Sequence, residues 1–174
     1  LGEIFEAGLE EGLVLDGVIA QNESQRRDFW RLRESMPSAN QRIGALVSSD
    51  VSLPSGAIED FIVCAKQAVA AVGDFRINCF GHVGDGNLHF NIFAPTGRQK
   101  SDYPDMPVKL RRVIHDVVAE FDGSFSAEHG IGRLKTGDLE RYGDPARLWA
   151  MRAIKAALDP RGIMNPGAIF AEMG

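Results

Sequence analysis

The sequence predicts an α+β fold in which an antiparallel sheet is covered by helices. Three observations lead there. Apolar residues recur at helical spacing in several separate windows. Two segments, Arg76–His82 and Asn87–Phe93, flank Gly84-Asp85-Gly86 as the arms of a hairpin. Helices and strands follow one another without a regular βαβ rhythm, which favours antiparallel pairing over a doubly wound sheet.

Taken in order, Leu1–Gly12 reads as an amphipathic helix carrying Ile4, Phe5 and Leu9. Val14–Gln21, with its Asp16-Gly17 turn signal, suggests a short strand. Ser24–Met36 reads as a helix with Ser24 as N-cap, Phe29, Leu32 and Met36 on one face, and Pro37 ending it. Ile43–Leu53 reads as a strand closed by Pro54. Ser55–Val72 is a helix with Ile58, Phe61, Ile62, Ala65 and Val69 inward, terminated by Gly73. Ala94–Pro104 is a polar loop, and Met106–Phe121 a helix rich in Val, Leu and Ile. Gly123–Ser126 leads into a glycine-containing turn, Pro145–Leu158 forms the last helix, and Gly162–Phe170 is irregular. No internal repeat or low-complexity segment is present.

The 174 residues suit one domain, residues 1–174, with 44% apolar and 25% charged residues. A formal charge of -5 and the lack of any Lys/Arg run exclude a nucleic-acid surface. No apolar run approaches the roughly 20 residues of a membrane span, and no signal peptide is visible. The chain starts at Leu1 rather than Met, so a piece of a longer protein is expected. Cys64 and Cys79 lie far apart and read as buried thiols. A cytoplasmic location is expected, with peripheral attachment to the inner face of a membrane as an option.

Asn87–Ile92 alternates strictly. Leu88, Phe90 and Ile92 point to one face, and Asn87, His89 and Asn91 to the other. Three polar groups in a row on an apolar element suggest a site, because burying them unpaired is costly. If His82 is paired with His89 across the hairpin, their Cβ atoms stand roughly 5 Å apart. Two imidazoles at that separation can bind one metal ion at about 2.0–2.1 Å. The competing reading makes each histidine a satisfied polar residue. His115, mid-helix in RRVIHDVV, reads as a surface or packing residue.

Ser126–Gly132 sets Glu128 beside His129, followed by Gly130 and Gly132. In an extended segment the two side chains point opposite ways and serve different tasks. Glu128 would complete a two-histidine, one-carboxylate metal set with an open position. His129 would act as general base, since an imidazole suits proton transfer near neutral pH. A solvated surface loop is the alternative.

GHVGDGNLHFNI (Gly81–Ile92), SAEHGIG (Ser126–Gly132) and LDPRGIMNPG (Leu158–Gly167) together resemble the C-terminal domain of FAD-linked oxidases. FWRLRES (Phe29–Ser35) and SSDVSLP (Ser48–Pro54) look like it too. That family includes dehydrogenases of D-2-hydroxyglutarate and D-lactate and the glycolate oxidase flavoprotein subunit. The resemblance covers nearly the whole chain. It implies a ferredoxin-like α+β cap over a flavin held by an N-terminal FAD-binding domain that this chain lacks. It implies that His82, His89 and Glu128 hold a divalent metal, Zn or Mn. It makes His129 the base, Arg33 and Asn91 substrate-binding residues, and Asn165 a neighbour of the flavin.

The implied reaction oxidises a D-2-hydroxy acid to the 2-oxo acid, with hydride passing to FAD. The expected partners are a small 2-hydroxy acid, the FAD domain and an electron acceptor, with a homodimer as one assembly. The fragment alone is expected to be inactive. One departure stands out: dehydrogenases of D-2-hydroxyglutarate tend to carry a lysine just before DVSLP, where this chain reads Val47-Ser48-Ser49. A lactate-like substrate, or a cation from elsewhere, would follow. Two other classes remain open. One is a domain-interaction or assembly module without catalytic residues of its own, and the other a metal-dependent hydrolase.

Overall fold

A computed structural model describes residues 2–171, so Leu1 of the first expected helix lies outside the described residues. The chain divides into two compact units, residues 1–42 and 43–174. In the first unit, α1 spans Gly2–Glu10 and α2 begins at Glu23 and runs to Ile43. Asn22, not Ser24, caps α2: its carboxamide oxygen accepts the Gln25 N–H at 3.0 Å, and Gln25 reaches back to the Gln21 N–H. Pro37 lies inside α2 rather than ending it. Proline removes only its own N–H bond, and the helix continues to Gly44, whose φ of 77° supplies the left-handed stop.

Val14–Gln21 forms no strand. A strand needs a ladder partner, and here the Leu13 and Val14 N–H groups both donate to Gly8 O. Phe29, Leu32 and Met36, read as sharing one face, are exposed. A unit of this size closes no core over such a face.

The second unit holds β1 (Val47–Ser52, within the expected Ile43–Leu53), α3 (Ile58–Val72), β2 (Arg76–His82), β3 (Asn87–Phe93), α4 (Met106–Glu120), α5 (Thr136–Tyr142) and α6 (Pro145–Leu158). The short helix α5 has no counterpart in the sequence reading. Among the described residues the sheet has the order β1-β3-β2, all pairs antiparallel. Consecutive strands β1 and β2 therefore flank β3, with α3 as the crossover. Ser52 and Ser124 form a single antiparallel bridge on the free side of β1. This is a split β-α-β unit whose fourth strand is reduced to one pair.

One sheet face carries Val47, Val51, Leu88, Phe90 and Ile92. It packs on Phe61, Ala65 and Val69 of α3 and on Leu110, Ile114 and Val118 of α4. Phe61 sits at the centre, edge-on to Phe90 at 6.0 Å and to Phe121 at 6.1 Å. Burying one such ring contributes about 1.5–3 kcal/mol. His115 proves to be a packing residue, 1% exposed, between Phe125 and Tyr142, with Nδ1 3.4 Å from Asp138. Cys64 and Cys79 are free and half-buried, and burial pushes the Cys79 thiol up to about 11. No described helix is long and apolar enough to cross a membrane.

The β2–β3 connection turns through Val83–Asp85 and closes at Gly86, whose φ is 72°. The Gly86 carbonyl accepts the Leu53 N–H at 2.9 Å, and a Cβ at Gly86 would meet Leu53 O at 2.0 Å. Gly86→Ala is therefore expected to cost at least about 2 kcal/mol in denaturant unfolding. Gly84→Ala, where a Cβ meets nothing within 4 Å, should stay within about 0.5 kcal/mol. Equal losses at both positions would contradict the account.

His115 gives a pH dependence. Burial holds its pKa below the ordinary histidine value, against the pull of Asp138. The unfolded chain titrates near 6.5, so between the two values it binds more protons than the folded one. The stability of neutral His115 is present above about pH 6.5 and lost as pH falls toward the folded value. Melting temperature should drop from about pH 7 to about pH 5, and His115→Gln should flatten that slope.

Candidate functional site

Cross-strand register arranges the second sheet face in three rows. These are Ser48–Asn91–Asn78, Asp50–His89–Phe80 and Ser52–Asn87–His82, each running β1–β3–β2. The alternation that buries Leu88, Phe90 and Ile92 puts Asn87, His89 and Asn91 here. One expectation is corrected: His82 pairs with Asn87, and His89 with Phe80. Four residues, Val83–Gly86, separate the paired positions 82 and 87, and that tight closure fixes the register. His82 and His89 are thus diagonal neighbours on one face, roughly 7–8 Å apart rather than roughly 5 Å.

The Ser126–Gly132 motif meets this face along the free side of β1. After the Ser52–Ser124 bridge, the Ala127 N–H donates to Asp50 O at 3.2 Å. The Glu128 and His129 N–H groups then both donate to Asp50 Oδ2, at 3.0 and 2.9 Å. Glu128 accepts from Asn87 Nδ2, while the His129 ring stacks on His89 with centroids 6.0 Å apart. This corrects the extended-segment expectation that the two side chains point opposite ways: both stand above one face, Glu128 at Asn87 and His129 at His89. His129 is exposed and His89 half-buried.

Asp50 is the centre of these contacts and its side chain is 4% exposed. Burial raises its pKa, but the backbone N–H groups of His129 and Glu128 and the charges of His129 and Lys135 outweigh that and leave it below the usual carboxylate value. Lys135 Nζ donates to Phe125 O at 3.0 Å and Ser126 Oγ at 3.1 Å, and stands 3.9 Å from Asp50 Oδ2. The sequence reading missed both residues. The signal for Asp50 was an aspartate inside a strand, a position that disfavours it. Lys135 offered none.

Asn91 is buried, and its amide is engaged within the sheet. Oδ1 accepts from Ser48 Oγ at 2.7 Å, and Nδ2 donates to His89 O and Asn78 O. Asn165, at φ 48°, accepts from Arg133 Nη2 at 3.1 Å. The tail is tied to the same loop by the Ile169 N–H donating to Gly132 O. Arg33 lies on α2 of the first unit, its guanidinium 5.9 Å from the Trp30 ring centroid.

The donor types of His82, His89 and Glu128 suit Zn²⁺ or Mn²⁺, and Asn87 Oδ1 is a buried acceptor with no hydrogen-bond partner beside Glu128. Among the described residues no group of three or more His, Cys, Asp or Glu is gathered as a metal site. The match is one of donor type and shared face, and the three side chains are not gathered around one point.

Residues 2–169 match the family model described as FAD linked oxidases, C-terminal domain. The D-2-hydroxyglutarate dehydrogenase of Stutzerimonas stutzeri is 40% identical over 171 residues, which cover 96% of this chain and 36% of that protein. The mitochondrial D-2-hydroxyglutarate dehydrogenase of Arabidopsis thaliana is 39% identical over 160 residues, covering 91% and 27%. An uncharacterized FAD-linked oxidoreductase of Mycobacterium tuberculosis is 33% identical over 171 residues, covering 97% and 34%. The chain thus spans about a third of the length of these curated relatives.

Lys135→Met is expected to free the Phe125–Ser126 turn and leave Asp50 without the Lys135 ammonium. The loss should be about 2 kcal/mol in denaturant unfolding. A loss under about 0.5 kcal/mol would mean that Lys135 is a bystander.

Proposed function

The chain belongs to the family of FAD-linked oxidase C-terminal domains, and from that membership we propose that it forms the substrate-side half of an enzyme oxidising a D-2-hydroxy acid to the 2-oxo acid. The observation that carries the reading is the meeting of two motifs on one sheet face: His89 and His129 stack there, and Glu128 joins Asn87. The names of the relatives in Stutzerimonas stutzeri and Arabidopsis thaliana support a 2-hydroxy acid, with D-2-hydroxyglutarate the first to try.

FAD, bound mainly by an N-terminal domain, supplies the hydride acceptor. A divalent ion held by His82, His89 and Glu128 would supply a Lewis acid for the 2-hydroxyl. His129 takes the hydroxyl proton as the Cα–H electron pair leaves with its hydrogen. Arg33 clamps the substrate carboxylate, to which its planar fork is matched. Asn91 is assigned to the substrate by the same resemblance, while its Oδ1 and both N–H bonds are engaged within the sheet. Asn165 is assigned to the flavin side. A separate electron acceptor would be needed to complete the cycle, and a cytoplasmic setting suits the two free thiols.

The test uses the full-length flavoprotein with D-2-hydroxyglutarate, D-lactate and glycolate, an artificial electron acceptor and added Zn²⁺ or Mn²⁺. Turnover is expected with at least one acid. Chelation should lower it and metal restore it. His129→Gln should reduce kcat by about 100-fold or more with flavin absorbance intact. Oxidation of none of the three acids, or full turnover in His129→Gln, would overturn the reading.

A further inference from the structure

We infer that Asp50 is the positioning residue of this site: its carboxylate fixes the backbone of Glu128 and His129 and orients the His129 imidazole. The inference rests on the reaction proposed above. It begins from a single oxygen. Oδ2 accepts two consecutive backbone N–H groups, from Glu128 at 3.0 Å and His129 at 2.9 Å. It also lies 3.4 Å from His129 Nδ1. The Asp50 carbonyl takes the Ala127 N–H as well. Three successive residues of the loop are thus held by one residue of β1, across 77 to 79 positions of sequence.

Consecutive N–H groups converging on one anion fix the intervening dihedrals. That constraint sends Glu128 toward Asn87 and His129 onto His89. A carboxylate facing Nδ1 favours the tautomer with the proton on Nδ1, which leaves the Nε2 lone pair to accept the substrate proton. The register reinforces the geometry, because Asp50 is the direct cross-strand partner of His89. One rigid strand position therefore sets the imidazole pair from both sides. Asp50 Oδ1 is buried without a hydrogen-bond partner, a cost that an unfunctional strand position would shed.

The experiment has two arms, both on the full-length flavoprotein. In the first, Asp50→Asn should lower kcat about 10- to 100-fold while KM changes less than about threefold, with flavin absorbance kept. Asp50→Glu should restore part of the loss. In a His129→Gln background, Asp50→Asn should add clearly less than it costs alone, because the part that runs through the imidazole is already lost and only the hold on Glu128 remains. The second arm needs no variant: hydrogen exchange resolved to single residues should show the Glu128 and His129 amides protected. Unchanged kcat in Asp50→Asn, additive losses in the double variant, or exchange of both amides at unstructured-peptide rates each overturns the inference. If Asp50→Asn does not fold, the exchange result decides. An inactive wild type with protected amides would sink the proposed reaction and leave Asp50's structural hold standing.

Discussion

The Asp50 carboxylate is the contact on which the second unit's polar side is organised. A buried anion costs several kcal/mol in lost hydration unless hydrogen bonds and opposite charge offset it. Here the offset comes wholly from the Phe125–Lys135 stretch: two backbone N–H groups, a histidine and the Lys135 ammonium. The dependence runs both ways. Without that stretch the strand would hold an uncompensated charge; without the charge the stretch would lose the anchor that keeps Ser126–Gly132 against the sheet.

The sheet makes this possible by dividing its work between two faces. Below, Phe61 and its neighbours on α3 and α4 supply a dry, closely packed floor. Above, the same strands present Asp50, Asn87, His89 and Asn91 in fixed rows. Because the period is two, a one-residue register slip would exchange the faces, so core packing also enforces site geometry. Gly86 adds the closing constraint, holding the hairpin turn against Leu53 at the end of β1.

What could be read from the sequence follows a physical divide. β2, β3, α4 and α6 were legible to within a residue and α3 to within three, because each carries a clean local period and a local stop such as Gly73 or Asp159-Pro160. The motif residues His89, Glu128 and His129 were legible as types in context. Register was not: whether His82 faces Asn87 or His89 depends on how four turn residues close. Asp50 and Lys135 were invisible as partners because the contact joining them is distant in sequence. Val14–Gln21 misled because β propensity says nothing about whether a ladder partner exists, and Pro37 because a long helix tolerates one missing bond.

Among the described residues the strand order leaves β2 with one side unpaired by any other strand, and such an edge is a template on which another chain can add itself. The outward residues Arg76, Asn78 and His82 are exposed along it, and Arg76 turns its Nε to Ala94 O beside the strand's start. A polar, charge-tipped edge of seven residues makes a poor seed for intermolecular β-pairing. The side chains that dress this edge therefore disfavour strand addition by another chain, and one of them, His82, also stands in the row it shares with Asn87 and Ser52.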